Sequence, residues 1–375
     1  MITSLDIENF KCFSALRLSF GKLTLLTGFN GGGKSSAVQP LLLLAQGLTG
    51  LKAEQRLPLN GELVRLGTVG DITPSDSVQP TVTFRVEDGH QELSWTSAMI
   101  AGDRSLTISN ATTRAKEEES GAENGVPTAS DGLWKTLIGI SYISATREGT
   151  LDAYPMPDVV DAKVVNVGVD GRFAAYWYDL HVDDEVLPDR RLPAEPATTL
   201  RKQLDACLST LFPGSQANVQ QLLHTPSVSL QFRLSDIGAW RRPANVGYGF
   251  TYAFPILVAL LVATEGQVVI IDSPEAHLHP FAQSQMGRLL AHFAKAGVQI
   301  IVETHSDHLL NGVRLSVKDQ TLAPEQVQIH FFTGPNAASH GVVSPVLDRE
   351  GSLSTWPDGF FDQSEKDLGR LTGWD

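Results

Sequence analysis

The segment Gly28-Phe29-Asn30-Gly31-Gly32-Gly33-Lys34-Ser35 fits the spacing G-x-x-x-x-G-K-[ST]. Its chemistry is phosphate binding. Glycines let the backbone curl until successive N–H groups point inward at phosphate oxygens, and a helix that starts there adds its positive end. In such a loop Lys34 reaches β- and γ-phosphates and Ser35 offers a hydroxyl to Mg²⁺; Asn30, Gly31, Gly32, Gly33 and Ser36 complete the cradle. A second stretch, Val268-Val269-Ile270-Ile271-Asp272, closes four β-branched residues with an acid. It reads as a buried strand delivering Asp272 to its carboxyl end, where open α/β sheets bind ligands. Asp272 would hold the same Mg²⁺, mostly through water. A third, Ile300-Ile301-Val302-Glu303-Thr304-His305-Ser306, brings His305 to the same edge, placed to bond a γ-phosphate. A fourth, Pro243-Ala244-Asn245-Val246-Gly247-Tyr248-Gly249-Phe250, precedes a long apolar run. Asn245 reads as the N-cap there, and Gly247 leaves backbone N–H groups uncovered, which makes an anion site at a helix start.

Elements follow from patterning. Residues 2–7 and 15–20 alternate as strands, 22–27 is an apolar strand, and 37–48 has a helix's apolar body. Period-2 runs over 62–110 predict an antiparallel β lobe. Residues 112–132 read as a mobile loop or linker. Leu137–Ser144 reads as a strand ending at Ala145-Thr146-Arg147, residues 150–195 have no clear pattern, and 198–211 is helical. From 226 on, the pattern reads strand 226–234, helix 246–264, strand 268–271, helix 281–296 and strand 298–303. That alternation predicts a mostly parallel sheet covered by helices. The expected division is 1–111 with the phosphate loop and β lobe, a linker over 112–132, an insertion over 133–240, and 241–375 with the remaining motifs.

Composition narrows the class. The chain has 375 residues, 42% hydrophobic and 19% charged, as in ordinary globular proteins. Its net charge of −13 argues against coating nucleic acid or anionic membrane with the whole surface. The longest apolar stretch, Ala253–Ala263, is about half a membrane span. Cys12 and Cys207 are too few for a disulfide framework and lie in no metal spacing, so a reduced, cytoplasmic compartment is expected.

Taken together, the four motifs, in the chain order phosphate loop, helix-start glycine motif, Asp272 strand and strand-end His305, resemble the ABC-type ATPase heads. More narrowly, Asp272-Ser273-Pro274-Glu275-Ala276-His277-Leu278-His279-Pro280 is similar to the D-E-P-E-x-H-L-H-P box of the OLD-like AAA ATPases. Ile7-Glu8-Asn9-Phe10-Lys11-Cys12-Phe13, Thr304-His305-Ser306-Asp307-His308 and the P-loop resemble theirs too, and Trp356-Pro357-Asp358-Gly359-Phe360-Phe361-Asp362 resembles the close of a stand-alone branch. The resemblance covers roughly 1–60 and 240–365. It implies an α/β, ABC-type P-loop ATPase head with a mostly parallel core sheet, an N-terminal antiparallel β lobe and a helical or irregular insertion. It implies ATP and Mg²⁺ as ligands, with Ser35 and Asp272 on the metal. It further implies a homodimer in which ATP on one P-loop is completed by Asn245, Gly247 and Gly249 of the second subunit, with 277–279 at the seam. Members often act as sensor ATPases beside a nuclease or other effector in anti-phage defence, as in Septu-like systems.

The sequence also departs from that pattern. The residue after the Walker B acid usually polarises the attacking water; here it is Ser273, a poor base. Glu275 either takes that role or is structural, so slow or conditional hydrolysis is expected, with Lys34 and His305 as the other catalytic candidates. No glutamine loop is evident, and Leu66–Asp71 is the candidate segment for sensing nucleotide. No heptads between Lys34 and Asn245 suggest the coiled-coil arms of SMC-like heads. About 70 residues after His305 leave no room for a Toprim nuclease domain; Asp348, Glu350, Asp358 and Asp362 fit a solvated tail better than a metal cluster. The alternative function is an ATPase acting directly on DNA, for which Arg190-Arg191, Arg201-Lys202 and Arg241-Arg242 are the only dense basic pairs. A further alternative is an ATP-binding structural subunit without turnover.

Overall fold

Successive residues of the central strands face two different cores. Val269 and Ile271 enter one hydrophobic cluster, and Val268 and Ile270 the other. On the neighbouring strand Ile300 and Val302 divide from Ile301 in the same way. A strand's period of two, with burial on both faces, is why these segments read as unbroken apolar runs. The computed structural model describes residues 1–49, 56–75, 77, 79–115, 132–158, 164–235, 237–334 and 341–373. Its central sheet has six strands in the order Val342–Val343, Val327–Phe332, Leu23–Gly28, Gln299–Glu303, Val268–Asp272, Ser141–Ile143. All neighbours run parallel except the Val342–Val343 edge.

One face of this sheet shares its core with helix Lys34–Thr49 and a six-stranded antiparallel sheet. That sheet runs Phe13–Ser19, Ser4–Phe10, Thr81–Glu87, Gln91–Ala98, Ser105–Ala115, Arg56–Pro58. The other face packs under helices Ala174–His181, Leu200–Leu211, Tyr248–Val262, Pro280–Lys295 and Asp307–Lys318. Leu200–Leu211 buries Leu200, Leu204, Cys207, Leu208 and Leu211, the stripe that helical periodicity demands. Tyr248–Val262 is apolar nearly all round because it is enclosed on nearly every side. A three-stranded antiparallel sheet, Gln216–Gln221, Ser227–Arg233 and Tyr154–Pro155, joins that cluster through Ala217, Val228, Leu230 and Phe232. The α/β class, the parallel core and the antiparallel N-terminal sheet are as the sequence predicts. No described helix is long and apolar enough to cross a membrane.

Two local readings are corrected. Leu137–Ser144 is not one strand: a helix occupies Gly132–Ile138, and only Ser141–Ile143 joins the sheet. Leu133, Trp134 and Leu137 form that helix's buried face, and Leu133 and Trp134 lie upstream of the run read as a strand. A short apolar run does not distinguish the two structures by itself. Within the stretch read as a linker, residues 112–115 belong to strand Ser105–Ala115 and Gly132 opens the helix, while 116–131 lie outside the described residues. Residues 150–195 hold strand Tyr154–Pro155, helix Ala174–His181 and the 3₁₀ turn Pro188–Arg190.

Helix Asp307–Lys318 begins just after His305 and so fixes where that edge of the sheet ends. It packs on Pro280–Lys295 through glycines: a Cβ on Gly312 would lie 2.0 Å from the Ser284 carbonyl oxygen, and one on Gly287 2.3 Å from that of Leu309. Both obstacles are backbone and have no rotamer to yield. Gly312→Ala should therefore cost roughly 1–3 kcal/mol; a urea titration should show a lower midpoint with an unchanged m value.

Candidate functional site

The phosphate loop is shaped by what surrounds it. Gly33 has φ 101°, and a Cβ there would stand 2.6 Å from the Phe13 ring and 2.9 Å from Cys12 Sγ. Gly31, at φ 74°, faces open space, with nothing within 4 Å of an added Cβ. The loop is thus pinned on its inner side and open on its outer side, as a cradle for an anion needs to be. Lys34 is buried, and its Nζ donates to the carbonyls of Gly28 and Phe29 at 3.1 and 2.9 Å, curling the loop around its own ammonium. Burial pushes its pKa down, against the pull of Glu303 and Asp272. At the second residue of the helix, Ser35 Oγ donates to Glu303 Oε1 at 3.0 Å.

No role for Glu303 follows from residue spacing alone. The parallel register sets it directly beside Asp272 at the ends of adjacent strands. Burial, then the Asp272 charge, push its pKa up to about 7, while the Ser35 bond and Lys34 pull the other way. Its pairing with Asp272 is a matter of register between segments distant in sequence, which residue spacing does not reveal.

A cavity of about 350 Å³ is lined by Asn30, Gly31, Gly33, Lys34, Ser35, Ser36, Glu303 and His305, with Lys11 and Cys12 at its wall. Beyond Ser35 and Glu303 lies a smaller one of about 160 Å³, bounded by Asp272, Gln39, Arg65 and Tyr142. Gln39 Oε1 is buried there without a hydrogen-bond partner. Leu63–Arg65 line this inner cavity, while Thr68 and Asp71 cap the short helix Val69–Ile72. That helix reaches the phosphate-side cavity through the Lys11 N–H, which donates to the Ile72 carbonyl at 2.7 Å.

A hydroxyl and two carboxylates on one rim form an all-oxygen, negatively charged donor set. This fits Mg²⁺ arriving with a phosphate-bearing ligand, since that ion takes one or two carboxylates and completes its shell with phosphate and water. Among the described residues no group of three or more His, Cys, Asp or Glu is arranged to hold a metal by itself. In the tail, Asp348 caps its own turn, Glu350 pairs with Lys318, and Asp358 and Asp362 pair with Lys366.

The Asp272 strand ends in a left-handed residue, Ser273, with φ 50°. Its Oγ donates to Asp272 Oδ1 at 2.9 Å, and its N–H to the Glu303 carbonyl at 2.8 Å. The turn carries Glu275 back beneath the next strand, where Oε1 accepts the His305 N–H at 2.8 Å. Glu275 Oε2 is buried without a partner, and burial raises this carboxyl's pKa. The His305 ring faces the phosphate-side cavity; partial burial and then Lys34 lower its pKa, which favours the neutral form.

The helix-start motif is elsewhere. Asn245 is not the N-cap: it ends a 3₁₀ turn, Pro243–Asn245, and Gly247 caps helix Tyr248–Val262. Pro243 favours that turn and displaces the helix start by two residues. Gly247 faces open space, whereas a Cβ on Gly249 would lie 3.0 Å from the His277 carbonyl oxygen. Asn245, Gly247 and Gly249 do not line the P-loop cavity of their own chain.

Residues 4–144 match the family described as "AAA domain", and 167–311 match "AAA domain, putative AbiEii toxin, Type IV TA system". Residues 322–371 match "Protein of unknown function (DUF3696)". Among solved structures, an Smc head bound to the C-terminal winged-helix domain of ScpA superposes with TM-score 0.52 at 12% identity, covering 93% of this chain and 98% of that one. An Smc head with an extended coiled coil, bound to the C-terminal domain of ScpA from Pyrococcus furiosus, gives 0.51 at 11%, covering 99% of each. The fold is that of an SMC/ABC-type ATPase head. No curated protein matches the chain. The shared part is the head: between Lys34 and Asn245 no described helix exceeds 16 residues.

In this head the DUF3696-matching segment touches the phosphate loop. It supplies strand Val327–Phe332, which pairs with Leu23–Gly28, and Phe331 stands 5.8 Å from the half-exposed Phe29 ring. A Cβ on Gly359 would come within 2.2 Å of Phe29 Cζ, and fully buried Phe360 packs between Phe331 and Trp356 at 5.2 and 5.0 Å. The chain's closing motif therefore buttresses the P-loop from outside.

Crowding of Glu303 against Asp272 has a measurable sign. With a folded pKa raised from 4.5 to about 7, the native state binds more protons than the unfolded chain between those values. Stability then falls as pH rises through that window and stays lower above it. In chelator and without nucleotide, Glu303→Gln should gain on the order of 2 kcal/mol at pH 8 and almost nothing at pH 4. Chemical denaturation at the two pH values measures this, and Mg²⁺ with nucleotide should erase the gain.

Proposed function

We propose that this chain binds Mg²⁺–ATP at Gly28–Ser36, hydrolyses it slowly, and closes around it as a homodimer. Closure would act as a switch on a separate effector protein, such as a nuclease, in anti-phage defence. The observation that carries the reading is the meeting of Lys34 and Ser35, from the loop and its helix, with Asp272 and Glu303 at the ends of two parallel strands. Bound Mg²⁺ would supply charge neutralisation at the β- and γ-phosphates and orient them. In this assignment Lys34 leaves its own loop carbonyls for phosphate oxygens, Ser35 and Asp272 hold the metal, and the neutral His305 donates a hydrogen bond at the γ position. Glu275 accepts the proton of the attacking water; its tether to the His305 backbone and its burial fit a base that works only after a rearrangement.

The open Gly247 helix start, absent from its own chain's cavity, supports a site completed by a second copy. The AbiEii description of the family matching 167–311 supports a toxin–antitoxin or defence setting. The Smc heads bound to ScpA domains support a head that works through a partner protein. Direct action on DNA is less well supported, because the basic pairs are largely engaged. Arg190 is buried against the Leu261 and Ala263 carbonyls, and Arg191, Arg201 and Arg242 pair with Glu185, Asp183 and Asp152.

Light scattering of the apo and Mg²⁺–ATP forms, with phosphate release followed in parallel, tests the reading. An ATP-dependent dimer should accumulate in Glu275→Gln with release lost, and Lys34→Ala should neither bind nucleotide nor dimerise. A mass that ignores ATP, with release unchanged in both variants, would overturn it.

A further inference from the structure

Arg147 is 4% exposed, and the motifs give it no function. Its Nη2 donates to the Asp272 and Ser273 carbonyls, the second at 2.9 Å, and so holds the left-handed turn at the end of the Asp272 strand. On its other side the guanidinium carbon lies 5.4 Å from the Tyr252 ring centroid, a cation–π contact with the first turns of helix Tyr248–Val262. The Tyr252 ring meets His277 edge-on at 4.6 Å, and Tyr248 stands 5.4 Å from the same imidazole. Gly149 admits no slack between them: a Cβ there would lie 3.2 Å from Thr251, Tyr248 and Tyr252. One buried side chain thus joins the Asp272–Glu275 turn to the helix whose start, under the reading above, faces the second subunit's nucleotide.

The junction is incompletely bonded. Arg147 Nε and Nη1 are buried without partners, and so is Glu275 Oε2. The Arg147 and Glu275 charges act on one another; buried, unpaired atoms of opposite charge are costly, and direct pairing would relieve both at once. They stay apart while the guanidinium is held by the two carbonyls and by Tyr252.

We propose that Arg147 is a positioning residue: a displacement of the Tyr248–Val262 helix start on dimer closure moves its guanidinium, whose free N–H edge then takes Glu275 Oε2 and orients that carboxylate for the attacking water. The proposal deepens the ATPase reading and rests on it. It makes hydrolysis conditional on closure through one named contact, and it assigns Tyr252 as the lever.

The test compares wild type, Arg147→Lys, Arg147→Met and Tyr252→Leu. Nucleotide affinity comes from a fluorescent ATP analogue, dimer mass from light scattering, and kcat and KM from phosphate release. Arg147→Met should bind nucleotide and dimerise like the wild type, with KM unchanged and kcat down roughly 10- to 100-fold. Arg147→Lys should recover part of that loss, because one ammonium can still reach Glu275. Tyr252→Leu keeps the buried arginine, so it guards against a folding failure in Arg147→Met; it should dimerise with ATP yet turn over slowly. Folded Arg147→Lys and Tyr252→Leu dimers with wild-type kcat would overturn the proposal. So would a loss confined to KM. A wild-type chain that binds no nucleotide would instead sink the ATPase reading itself, so the two failures are distinguishable.

Discussion

Asp272 and Glu303 stand side by side because two parallel strands are held in register over their whole length. The rest of the site is arranged around that pair of carboxylates. Neither could be tolerated so close in a low-dielectric setting without compensation. The Ser35 hydroxyl bonds one, the Ser273 hydroxyl bonds the other, and Lys34 lies near both. The compensation does not cancel the rise in the Glu303 pKa, which burial and then the Asp272 charge produce. A rim that keeps surplus negative charge while its lysine is occupied by backbone carbonyls suits a ligand bringing a divalent cation and phosphates together. Cation and phosphates would resolve, respectively, the excess carboxylate charge and the folded-back ammonium.

The register is itself a product of packing. Val268–Ile271 and Ile300–Val302 alternate between two cores, so a one-residue slip would send every side chain to the wrong cluster. The two cores also divide the work. The first unites the P-loop helix with the antiparallel sheet and helix Gly132–Ile138, and the second unites helix Tyr248–Val262 with helices Ala174–His181, Leu200–Leu211, Pro280–Lys295 and Asp307–Lys318. The central sheet is their common wall, and the chemistry sits where that wall ends. Movement of one side against the other would be felt first at the strand ends, where Asp272 and Glu303 lie.

Much of this was legible in the sequence, for an identifiable reason. The P-loop, the Asp272 strand and the strand leading to His305 are local patterns whose chemistry follows from adjacent residues. Glu303 was visible as a letter, but its proximity to Asp272 is a register between segments some thirty residues apart. Arg147 was read as the end of a strand; its contacts with Asp272 and Tyr252 are between elements over a hundred residues distant. The Asn245 cap failed because a proline-initiated 3₁₀ turn displaced the helix start to Gly247. The Leu137–Ser144 strand failed because its first two residues, Leu137 and Ile138, end a helix begun earlier. What spacing carries, the sequence shows; what long-range pairing carries needs the fold.

Ser273 explains why an acid two positions farther on is the one in place. In a left-handed conformation it turns the chain under the neighbouring strand instead of continuing past it. An acid at position 273 would start that turn, with its N–H bonded to the Glu303 carbonyl, and would add a further charge beside Asp272 and Glu303. Serine instead bonds Asp272, and the next acid is delivered to the far side of the turn, against the His305 backbone. A carboxylate held there lines neither cavity: one oxygen accepts the His305 N–H, and the other is buried without a hydrogen-bond partner. On the reading proposed here, that arrangement separates nucleotide binding from hydrolysis. Lys34, Ser35 and Asp272 would serve the first, whereas the second would wait on whatever frees Glu275. On the same reading, such a head would persist in an ATP-bound form until a partner or a second copy moved the turn, which is the behaviour a switch requires.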